Sequence, residues 1–65
     1  MAEYPNYVVA FYFDDEHKAT VGTEASRTEI ALIIALNKLL TKTSIVANNY
    51  IIYDIDNRKK YTGNF

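Results

Sequence analysis

Between Arg27 and about Lys42 the chain runs without a Gly or Pro and is rich in Ala, Leu, Lys and Glu, all strong helix formers. It is the one helix-length segment in 65 residues, so the rest of the core has to come from strands. Ser26-Arg27-Thr28-Glu29 matches a capping box, in which the Ser26 hydroxyl accepts from the Glu29 N–H and the Glu29 side chain returns to the Ser26 N–H. Glu24 and Glu29 near the start, and Lys38 and Lys42 near the end, suit the helix dipole. Such a helix is about 24 Å long, long enough to lie along a strand of seven or eight residues.

Tyr7-Val8-Val9-Ala10-Phe11-Tyr12-Phe13 is aromatic and β-branched throughout, the composition of a strand covered on much of both faces. Asp14 to His17 reads as a turn, and Lys18-Ala19-Thr20-Val21 as the returning strand, ended by Gly22. Thr43-Ser44 and Asn48-Asn49 bracket Ile45-Val46-Ala47 as a connection. Tyr50 to Asp56 reads as a second long strand, Asp56 to Lys59 as a turn, and Lys60-Tyr61-Thr62 as a short final strand. The expected architecture is one α+β domain of order ββαββ over residues 1–65, one antiparallel or mixed sheet with a single helix on one face. Residues 1–5 and 63–65 are expected as flexible ends. The two hairpins either join in one sheet, with Tyr12 facing Tyr53, or exchange strands with a second chain across a two-fold axis.

Two surfaces carry more apolar residues than this architecture needs. On the helix, Leu32, Ile33, Leu36, Leu39 and Leu40 share the expected core stripe, yet Ile30 and Ile34 lie to one side of it. Either the curved sheet, or the loop with Ile45 and Val46, covers them, or they form a seam with a partner. Ala31 and Ala35, with Arg27, Lys38 and Lys42, mark the expected outer side. In the sheet, Tyr7, Val9, Phe11 and Phe13 alternate with Val8, Ala10 and Tyr12, so neither face of the first strand is polar. Ile51, Tyr53 and Ile55 alternate with Tyr50, Ile52, Asp54 and Asp56, the second set being the expected outer face at its far end. Aromatic residues left on a helix-free face are typical of interface cores, although Tyr hydroxyls reaching water at a rim are the simpler account.

Composition narrows the chemistry. Seven Lys plus Arg against eight Asp plus Glu give a formal net charge of -1, which favours neither bulk electrostatic binding of nucleic acid nor mimicry of it. With no Cys and one His, the chain holds no disulfide framework, thiolate zinc site or multi-histidine cage. Met1-Ala2-Glu3-Tyr4-Pro5 lacks a basic leader, and the apolar stretches are too short to span a bilayer. A soluble, cytoplasmic setting is expected, with no membrane partner, metal or cofactor. Asp54-Ile55-Asp56-Asn57 has the opening of a calcium loop, but Lys59 stands where that loop needs Gly and Phe65 where it needs Glu. His17 beside Asp14 and Asp15 is a base without a pocket, Gly22 and Gly63 make no phosphate loop, and Ser26 is a cap before it is a nucleophile.

The reading is therefore a non-enzymatic protein-interaction module of adaptor or inhibitor type, acting as a homodimer, on another protein, or both. Small cysteine-free domains of that type are often encoded by phages or mobile elements. Ile30, Ile34, Tyr7, Tyr12, Tyr50 and Tyr53 are the expected interface residues. The alternative is single-stranded nucleic acid, stacked on sheet tyrosines and held by Arg58, Lys59 and Lys60 with Tyr61. Asp54 and Asp56 beside that short basic run, and Asp14 to Glu16, weaken the electrostatic side of the alternative.

Overall fold

The computed structural model describes residues 5–42 and 46–65. The connection expected at Thr43, Ser44 and Ile45, and the leader at Met1 to Tyr4, lie outside the described residues. The chain forms β1 (Tyr7–Phe13), β2 (Glu16–Thr23), α1 (Thr28–Lys42), β3 (Asn49–Asp54) and β4 (Lys59–Asn64). This is a small α+β domain of order ββαββ, one four-stranded antiparallel sheet with one helix packed against it. The strand order is β2-β1-β3-β4, so the two most apolar strands are central. Each hairpin is local, and the pairing of β1 with β3 fuses them into one sheet. In that pairing Tyr12 faces Asn49 and Tyr53 faces Val8, which corrects the expected Tyr12–Tyr53 match by several residues.

The turns follow local chemistry. Asp14 and Asp15 both take positive φ, 50° and 65°, the twist of a two-residue type I′ hairpin. This turn is tighter than the expected one, so β2 begins at Glu16 and takes in His17. A bulge where the register shifts between Phe11 and Tyr12 absorbs the extra residue. At the other hairpin the Asp54 carboxylate accepts from the Asn57 backbone N–H (3.2 Å) and side-chain amide (2.9 Å), closing the turn over Ile55 to Arg58. Arg58 leaves that turn with φ 55°.

Two asparagines tie the elements at opposite ends of the sheet. Asn6 exchanges bonds with Ala25, donating to its carbonyl at 2.6 Å and accepting from its N–H at 2.9 Å, which fixes the lead-in to the helix. Its own carbonyl accepts from Ile55 N–H at 3.1 Å. Asn48 exchanges side-chain bonds with Asp14, donates its N–H to Tyr12 O, and accepts from Phe65 N–H. Gly63 and Asn64 extend β4, and the Phe65 ring lies 5.1 Å from Tyr50 and 6.2 Å from Phe11, so residues 63–65 are engaged with the sheet.

The helix starts at Thr28, two residues past Ser26, with the Arg27 carbonyl taking the first helical bond from Ala31 N–H. The reciprocal Ser26–Glu29 bonds are not among the hydrogen bonds of the described residues. The core consists of Tyr7, Val9, Phe11 and Ile52 from the sheet against Ala31, Ala35 and Leu39 from the helix, with Leu32 and Leu36 packed at its side. This corrects the expected stripe. Ala31 and Ala35, read as outer residues, are fully buried, whereas Ile33 and Leu40, read as core, are 60% and 69% exposed. The helix is turned by roughly a quarter of a revolution from the Leu-centred orientation. The cause is volume: large rings rise from β1, so the first two turns of the buried helix face are alanines, and a large side chain, Leu39, enters the core only further along. Lys38 holds the same orientation by donating to Gly22 O at 3.2 Å on the β2 edge.

Candidate interaction surfaces

Strand parity sorts the expected site residues. Val9 opposite both Val21 and Ile52 places Tyr7, Val9, Phe11, Tyr50, Ile52, Asp54, Lys59 and Tyr61 on the helix side of the sheet. Val8, Ala10, Tyr12, Ile51, Tyr53, Lys60 and Thr62 are therefore on the helix-free face. The tyrosines are split between two sides and form no single platform. Tyr7 is buried in the core, and Tyr50 packs against it under Phe65. Tyr7 sits opposite Asp54. Burial first, then the negative charge of Asp54, Tyr61 and Asp56, pushes its phenol above the ordinary value of 10.0.

The helix-free face has an apolar centre and a polar margin. Ala10 is almost fully buried there, lying between Thr20 and Ile51 on the flanking strands, yet it is not part of the core. Around it stand half-buried Val8, Tyr12 and Ile51, and Tyr53 at 37% exposure. His17 meets the Tyr12 ring edge-on at 5.4 Å and shares a hydrogen bond of 2.6 Å with Thr20, so it has turned away from Asp14 and Asp15. The β1, β3 and β4 positions on this face hold no Asp or Glu; Lys60 is paired with Tyr53, and at the β2 edge Lys18, in the bulge opposite Tyr12, is tied to Glu16 at 3.0 Å. Compared with protein-family models, curated proteins and solved structures, the chain matches none.

The basic run does not act as one patch. Arg58 sits in the turn, Lys59 and Tyr61 belong to the helix side, and Lys60 to the opposite face. All four are exposed.

The second surface is the outer half of the helix. Ile33 and Leu40 are exposed, Leu36 is half-buried between them, and Ile30 and Ile34 are half-buried on the flank. Val46, one of the two loop residues expected to cover Ile30 and Ile34, is itself 67% exposed. Ile30 and Ile34 are outside the core cluster, and so, against expectation, are Ile33 and Leu40. Alanine sizes against the aromatic content of β1 were the signal for those two. A third feature is a shallow polar cavity of about 300 Å³ lined by Asp14, Asp15, Asn48, Asn49 and Asn64. No helix among the described residues is long and apolar enough to cross a membrane.

Proposed function

We propose that the chain is a non-enzymatic protein-interaction module of adaptor or inhibitor type, which engages a partner protein through its helix-free sheet face and also associates with itself. The observation that carries this reading is the arrangement of Val8, Tyr12, Ile51 and Tyr53 around Ala10, an apolar centre with Thr20, Thr62 and Lys60 at its margin. Tyr anchors with a polar rim are the makeup of interface cores. A standard interface takes about 800 Å² per partner, so the domain, with 4658 Å² of surface, must commit a whole face to one. A reducing, cytoplasmic setting belongs to the same reading, because the fold is held by packing and asparagine staples without any cysteine.

Single-stranded nucleic acid is the second reading, favoured by one feature of the same face. Tyr12 and Tyr53 stand on the two central strands with Lys60 beside Tyr53, and the β1, β3 and β4 positions of this face hold no acidic side chain. Photo-crosslinking separates the two. A benzophenone amino acid replacing Tyr53 is expected to capture a protein in cells expressing the chain, and Tyr12→Asp is expected to abolish the adduct. Adducts to RNA or DNA instead transfer the face to the second reading. Adducts that persist in Tyr12→Asp defeat the assignment of this face.

A further inference from the structure

The two edges of the sheet are not alike. β2 is guarded at both ends: a bulge sits at Lys18, the Pro5 ring packs on Gly22, 3.3 Å from the place a β-carbon would take, and Lys38 reaches from α1 to donate to Gly22 O at 3.2 Å. Bulges, prolines and covering side chains are the devices that keep an edge from pairing. Among the described residues, β4 has none of them. Its six residues pair with β3 in one unbroken register, it contains no Pro, and α1 packs on β2, β1 and β3 but not on β4. Every second residue of β4 therefore turns both its backbone N–H and its carbonyl outward, away from β3.

Charge distinguishes what can pair there. Lys59 and Lys60 are exposed and make no hydrogen bond or ion pair among the described residues, and the same holds for Arg58 in the adjoining turn. Of the neighbouring carboxylates, Asp54 is buried and spends both oxygens on Asn57, so Asp56 is the one left facing solvent. Lys59 is on the helix side and Lys60 on the helix-free face, which spoils them as one flat patch. A strand, however, also presents consecutive side chains to alternate faces, so two adjacent residues of an added strand meet one lysine each.

We infer that β4 accepts a fifth strand from a partner protein, an extended segment with two adjacent acidic residues set against Lys59 and Lys60. Main-chain bonds along about 20 Å of edge supply the hold, and the two lysines supply the choice. Lysine on an edge deters uncharged and basic strands, so the same pair selects an acidic one. Tyr61 and Thr62, next along β4 on alternate faces, suit β-branched or aromatic residues in the rest of the segment. The edge is a surface apart from the helix-free face, and the inference stands whether or not that face is occupied.

The test uses the intact chain and needs no known partner. A library of random peptides displayed on phage, panned on the chain, is expected to enrich sequences with adjacent Asp or Glu beside β-branched or aromatic residues. The leading sequence, synthesised with a fluorophore, is then titrated by anisotropy. Lys59→Glu combined with Lys60→Glu, retaining the parental circular dichroism, is expected to weaken its binding by roughly tenfold or more. A peptide with its acidic pair changed to lysine is expected to recover binding to that variant. Amide hydrogen exchange supplies a measurement independent of charge: the bound peptide is expected to slow exchange at alternate residues of β4 and to leave β2 unchanged. Tyr12→Asp is expected to bind the peptide as the parent does, which keeps this edge distinct from the proposed partner face. No enrichment, enrichment of sequences without an acidic pair, or a bound peptide that leaves the β4 amides unprotected overturns the inference. Failure to select acidic sequences, while a labelled oligothymidylate binds through the same two lysines, overturns it in favour of nucleic acid.

Discussion

The Tyr50 ring and hydroxyl lie across Gly63 on the neighbouring strand, in the space that a β-carbon at residue 63 would need. Glycine is required there by close approach, not by its backbone angles. The same ring also meets Phe65 at 5.1 Å, so this contact bears on both the strand pair and the chain end. Gly63→Ala is expected to destabilise the fold by about 1–3 kcal/mol through overpacking, read as a lower urea midpoint. Adding Tyr50→Leu to Gly63→Ala should recover part of that loss; no recovery would mean that the clash is not the cause.

The buried alanines of the helix supply a second prediction. Ala31 and Ala35 are fully buried over β1, so Ala35→Leu is expected to cost about 1–3 kcal/mol despite leucine's good helix propensity. Thermal melts of Ala35→Leu beside Ile33→Ala check the orientation. The reverse ranking, with Ile33→Ala the costlier change, would restore the Leu-centred core.

Alkaline pH should loosen the fold through Tyr7. Its phenol titrates above 10.0 in the folded chain, so folding favours the neutral form. That contribution is complete below the ordinary tyrosine range and disappears as pH rises through the raised value. Urea midpoints of the parent and of Tyr7→Phe, followed from pH 8 upward to about 11.5, are expected to converge or cross as the parent loses stability faster. Parallel curves would remove Tyr7 from the account.

The distal hairpin has a strained residue that glycine should relieve. Arg58 takes φ 55° with a long side chain, and Arg58→Gly is expected to stabilise by a few tenths to about 1 kcal/mol, the conformational relief exceeding the added entropy of the unfolded chain. In the opposite direction, Asp54→Ala removes both bonds to Asn57 and should cost about 1–3 kcal/mol. Differential scanning calorimetry on the two variants checks both signs.

Element type and order were legible from the composition of each segment: helix formers from Arg27 to Lys42 without Gly or Pro, and two runs of aromatic and β-branched residues. The limits of the helix and of the turns were less so. Two consecutive Asp residues adopting left-handed angles, which moved the start of β2, are tolerated but not demanded by their side chains. Helix rotation was misread for a physical reason. A wheel weighs hydrophobicity, whereas the sheet selected for volume, admitting Ala31 and Ala35 beneath the axis and sending Ile33 and Leu40 outward. The division of the tyrosines followed from a register that places Val8, not Tyr12, opposite Tyr53, and no local pattern encodes the register between strands so far apart.

That β1–β3 ladder also sets the order in which the chain can assemble. Each hairpin closes within a few residues, but Val9 and Ile52 are 52 − 9 = 43 positions apart, so their meeting carries most of the chain entropy lost on the way to the barrier. Stopped-flow chevrons are expected to show Val9→Ala slowing refolding, and Thr62→Ala on the outer strand mainly hastening unfolding. The centre of this sheet is thus expected to be its slowest part to form, because the N-terminal hairpin, marginal by itself, gains its inner partner only from a strand that follows the helix in the chain.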